Sequence, residues 1–121
     1  MSSEVFTKDM ILKPGEKLHV IHRRELEREP HRHFAGTVEA YENGVARVTG
    51  YVYTVDTVKS AFFRRPDRRT RILPISSGDL IVNVIPAEVD IDKIVYKLEK
   101  KSVRVTDGSD WFLDISELAW R

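Results

Sequence analysis

The chain has 121 residues, no cysteine, 41% hydrophobic and 32% charged residues, and a formal net charge of +1. That length suits one domain, 1–121, with a core of its own, and the missing cysteines exclude disulfides, thiolate chemistry and cysteine-type zinc sites. Aliphatic and aromatic residues recur along the whole chain, which excludes wholesale disorder.

No segment approaches the roughly 18 apolar residues that a membrane-spanning helix needs. The stretch Met1–Met10 carries two acids and no apolar run, unlike a signal peptide. The expectation is a cytoplasmic protein with no membrane contact. Charge is uneven along the chain: residues 1–75 hold 14 Lys and Arg against 10 Asp and Glu, and residues 76–121 hold 6 against 9. Such a chain either presents a one-sided basic surface or folds its acidic end against its basic part. Pairing within the fold is the simpler expectation.

Residues 1–16 read as an irregular lead-in ending in the turn Lys13-Pro14-Gly15-Glu16, where proline presets φ and glycine supplies a positive φ. Lys17 to His22 is a short strand with Leu18 and Val20 on one face. Residues 23–33 are too charged to be buried and read as a long exposed loop or one loose helical turn. Phe34–Tyr41 and Val45–Val55 flank Asn43-Gly44, the strongest short hairpin signal. Gly50, inside the returning strand, predicts a bulge or sharp bend.

A second hairpin is expected from Lys59–Arg65 and Thr70–Ile75 around Pro66-Asp67-Arg68-Arg69. After the turn Ser76–Asp79, Leu80–Ile85 is almost wholly apolar and ends at Pro86, so it reads as the most buried strand. Residues 89–101 fit a helical stripe and a strand alike. A short helical turn near Asp90–Lys93 followed by a strand Ile94–Glu99 is the better reading. Val103 and Val105 alternate before the turn Thr106–Asp110, and Trp111, Leu113 and Ile115 alternate after it, so a preceding strand would complete a meander. The sum is an all-β fold of seven to nine mostly hairpin-connected strands, arranged as one small antiparallel barrel or sandwich.

Three groups of residues bear on function. Arg64, Arg65, Arg68, Arg69 and Arg71 fall within eight residues of the expected hairpin 59–75, opposed only by Asp67. Arginine grips phosphate bidentately and stacks on bases, and Phe62, Phe63, Tyr51 and Tyr53 could supply stacking surfaces. One member of the Phe62-Phe63 pair must face inward, and charged tips also protect sheet edges. His19, His22, His31 and His33 form the second group, since histidine is a metal ligand and a base. Arg23, Arg24, Arg28 and Arg32 would repel a divalent cation, so exposed polar residues of a charged loop are the simpler reading. His31-Arg32-His33 is not a cupin metal motif, because Glu39 comes too late and no histidine follows residue 33. The third group is Asp107, Asp110 and Asp114, most simply the ends of a turn. No G-x-S-x-G, P-loop or G-x-G-x-x-G occurs, and no cofactor is expected.

The leading functional expectation is a non-catalytic module that contacts a partner protein or its own copy, motivated by the apolar end Leu118-Ala119-Trp120. Binding of RNA, DNA or another polyanion through Arg64, Arg65, Arg68, Arg69 and Arg71, with Tyr51 and Tyr53, is the alternative. A small enzyme or metal site built on the histidines of residues 19–33 is the third.

Overall fold

The computed structural model describes residues 11–22, 31–56, 61–99 and 102–116, and their regular structure is nine antiparallel strands and one 3-10 turn. Strand β1 spans Lys17–His22. Strands β2 (His31–Glu42) and β3 (Val45–Asp56) form a long hairpin about Asn43-Gly44. Both turn residues have positive φ, 47° and 82°, the geometry that type I′ reversal demands. Then follow β4 (Ala61–Arg64), β5 (Arg69–Pro74) and β6 (Leu80–Ile85). Asp90 caps the 3-10 turn Ile91–Lys93 by accepting from the Asp92 amide. The meander β7 (Val95–Glu99), β8 (Ser102–Thr106) and β9 (Leu113–Asp114) completes the order.

These strands make a six-stranded sheet and a three-stranded sheet, a sandwich-like all-β fold. In the larger sheet the order is β4-β3-β2-β1-β6, with β5 also on β3. The second expected hairpin does not exist. β4 pairs with Tyr53–Asp56 and β5 with Val45–Gly50, so both lie along the same edge of β3 and run in the same direction. They are one edge strand, interrupted where residues 65–68 loop out opposite Tyr51 and Val52. Pro66-Asp67 does break the strand, but turn chemistry alone does not say whether the chain then reverses or resumes.

Three further expectations are corrected. The charged loop does not reach residue 33, because β2 begins at His31 and pairs His33 with Ile21. Residues 23–30 lie outside the described residues. β6 is an edge strand rather than the most buried one, and its Val84 is 57% exposed. An apolar run cannot distinguish a central strand from an edge bent over a core. The bulge lies between Val38 and Ala40, not at Gly50. Gly50 instead faces Gly36 across the ladder, and a Cβ on it would sit 1.9 Å from the Ala35 carbonyl oxygen.

The larger sheet is curled. β5 and β6 pair on opposite sides of β1-β2-β3, yet only residues 75–79 join them. In a flat sheet their facing ends would be four strand spacings apart, about 19 Å, and offset by about ten residues, some 33 Å along the strands. Six Cα steps reach at most about 20 Å. The hydrogen bonds from the Ser76 amide to the Gly44 carbonyl and from the Ser77 amide to the Pro74 carbonyl shorten that reach further.

Curling gives the sheet two different faces. Leu18, Val20, Phe34, Val38, Ala46 and Val48 line the concave face, with Leu12 folded onto it and Leu73 and Leu80 packing from the two edges. On the convex face Ile21, Ala35, Tyr53 and Ile85 bury against Ile91, Ile94, Val103, Val105 and Ile115 of the smaller sheet and its approach. Among the described residues no helix is long and apolar enough to cross a membrane.

Candidate nucleic-acid interface

Side chains alternate along a strand, so β5 sends Arg69 and Arg71 to the concave face, opposite Gly50 and Val48. Arg65, first residue of the loop-out, donates its amide to the Val52 carbonyl at 2.9 Å and lies on the same side. Arg32 and His22, paired across β1 and β2, close the opposite rim. These five side chains line a groove of about 500 Å³. Its floor is apolar: Val20 and Phe34 are buried, while Val52, Leu73 and Leu80 are half-buried.

No carboxylate lines this groove among the described residues. The acidic end of the chain does not neutralise it there. The one ion pair among the described residues joins Arg69 Nε to Asp67 at 3.1 Å, within the loop-out itself. That contact holds the Asp67 carboxyl below its ordinary range. Four guanidinium groups around one hollow give its described lining a positive potential.

The remaining arginines of the sequence-defined group lie elsewhere. Arg64 is on the convex side, where its guanidinium sits 4.5 Å above the Tyr51 ring and donates to the Asp92 carbonyl at 2.8 Å. Arg68 projects from the loop-out into solvent and does not line the groove. Tyr51 serves as the platform for Arg64. Tyr53 is 2% exposed, and burial raises its hydroxyl pKa to about 12, so it is a core residue and not a stacking surface. Of the expected aromatics, Phe62 is packed inward and Phe63 is exposed, as a consecutive pair on a strand requires. Arg32 and His22 were hidden from sequence reading by the charged stretch between them. The signal that would have found them is alternation: Arg32 and Phe34 continue the strand backwards on one face.

The histidines divide in the same way. His19 and His33 are buried, not exposed, because they alternate onto the convex face beneath β7. The Tyr96 hydroxyl lies between them, 2.7 Å from His19 Nε2 and 2.6 Å from His33 Nδ1. Their rings meet edge to face at 5.2 Å, and Phe62 stacks on Tyr96 at 5.2 Å. A hydroxyl carries one proton, so one imidazole must donate to it and the other accept from it. His19 Nδ1 has no hydrogen-bond partner among the described residues. The hydroxyl therefore bridges the two rings, donating to one and accepting from the other. Burial lowers the His19 pKa to about 4 and raises that of Tyr96, so both are neutral near pH 7. This is a polar lock between the sheets. Among the described residues no three His, Asp or Glu side chains are grouped to hold a metal.

The C-terminal aspartates also build structure. Asp107 accepts from the Ser109 side chain and amide and from the Asp90 amide, which lower its pKa to about 2 and tie the last turn to the 3-10 cap. Asp114 accepts from Ser116 in the same manner. The chain matches no protein-family model, no curated protein and no solved structure.

Proposed function

We propose that this chain is a nucleic-acid-binding module whose groove holds backbone phosphates. The observation that supports the reading is the convergence of Arg32, Arg65, Arg69 and Arg71 on one hollow with no carboxylate among its described lining residues. Guanidinium groups suit phosphate because they present several donors in a planar fork. Each phosphate neutralised releases counterions, so affinity should fall with salt at a log-log slope of about 0.7–0.9 per contact.

Fluorescence anisotropy with mixed oligonucleotides at low salt tests this. Arg69→Ala with Arg71→Ala should weaken binding at least about tenfold and flatten the salt slope by about 1.4–1.8. Arg68→Ala, outside the groove, should change little. No binding at about 100 µM protein, or an unchanged affinity in the double variant, overturns the reading. The alternative, contact with a protein partner or a second copy, rests on Leu118-Ala119-Trp120, which lie outside the described residues.

A further inference from the structure

Resting on that reading, we infer that the groove selects a single strand: two or three successive phosphates lie along the arginine rim while an unstacked base covers the apolar floor. The rim is one-dimensional. Arg69 and Arg71 are two residues apart on β5, about 6.6 Å along the strand, which matches the step between successive phosphates. Arg65 extends the same line at the other side of the loop-out, and Arg32 faces it from β2.

The floor is what separates a single strand from a duplex. Val52 lies within the concave face, and Leu73 and Leu80 flank it from the edge strands, all three half-buried. A duplex keeps its bases stacked inside two outward-facing backbones, so it meets the rim cations and leaves the floor uncovered. A single strand can turn a base out of its stack and lay it on apolar side chains while its phosphates stay on arginine. Concavity acts in the same direction, because a curled sheet receives one chain between its edges and holds off a wide convex helix. The groove thus combines a charged rail with an apolar floor, aliphatic side chains standing where sequence-tolerant single-strand binders place aromatic rings.

The experiment compares one oligonucleotide as a single strand and as a duplex, with heparin as a base-free polyanion, by anisotropy or competition across a salt series. The expected result is at least about tenfold preference for the single strand and a salt slope of about 1.4–2.1, corresponding to two or three phosphates. Leu80→Gln, a half-buried edge position, should remove most of that preference by weakening the single strand several-fold more than the duplex or heparin. Leu73→Gln serves as a second floor variant, with circular dichroism and a melting curve verifying that each is folded. Equal binding of strand and duplex, heparin competing as well as the single strand, or floor variants that keep the preference would overturn this inference and leave nucleic-acid binding standing. Failure of all three ligands to bind would overturn both.

Discussion

His19 and His33 show how one hydroxyl bridges two buried imidazoles. Adding a proton to the ring that accepts from Tyr96 gives that oxygen two N–H donors and leaves its own hydrogen without an acceptor. The His19 pKa is lower folded than unfolded, about 4 against 6.5, so the unfolded chain binds more protons between those values. Its contribution to stability is intact above about pH 6.5 and is lost as pH falls toward 4, amounting to roughly 3 kcal/mol. Urea unfolding midpoints measured from pH 7 to pH 4 should decline across this window, and His19→Leu should flatten the decline. Tyr96→Phe should cost about 2–4 kcal/mol, because two buried ring nitrogens lose their partner at once. Tyr53→Phe makes the comparison, since its hydroxyl reaches the Ile94 carbonyl at 3.4 Å and otherwise meets the exposed Arg64 guanidinium. Its cost should stay below about 1 kcal/mol in the same assay.

At the scale of elements, the Gly36–Gly50 pair lets β2 and β3 approach too closely for any side chain. A Cβ on Gly36 would meet the Thr49 carbonyl oxygen at 2.5 Å, and one on Gly50 would meet backbone closer still. The obstructing atoms are main chain and cannot swing aside. Gly50→Ala should therefore destabilise by at least about 2–3 kcal/mol or prevent folding. Gly78→Ala, where a Cβ meets nothing within 4 Å, should lie within about 0.5 kcal/mol of the parent. Chemical denaturation of the two variants side by side checks both. The interruption between β4 and β5 has a different outcome: it loops four residues out opposite two of β3 and lets the same edge resume pairing, with Arg69 and Arg71 on the concave side.

The two faces of the curled sheet divide the labour of the whole molecule. The convex face is closed by the smaller sheet through Ile91, Ile94, Val103, Val105 and Ile115, and it carries the histidine–tyrosine lock. The concave face stays open enough to hold the groove. Ile94, 2% exposed, packs on the larger sheet, so Ile94→Ala should cost about 2–5 kcal/mol of stability. At temperatures where that variant remains folded, oligonucleotide affinity should be unchanged, because Ile94 does not line the groove. Loss of affinity in folded Ile94→Ala protein would mean that the smaller sheet contributes to binding.

Local chemistry was legible in the chain itself. The bounds of β1 and β6, the Asn43-Gly44 reversal, the short helical turn near Asp90 and the closing meander all follow from side-chain alternation and turn preferences, which act within a few residues. The tertiary structure decided what those rules leave open. Which edge a strand takes, whether Pro66-Asp67 reverses the chain or interrupts it, and which face each arginine occupies depend on pairing between residues far apart in sequence. The burial of His19 and His33 depends on Tyr96, more than sixty residues away. Alternation places side chains on two faces, but only the packing of the smaller sheet determines which face is core and which remains a groove.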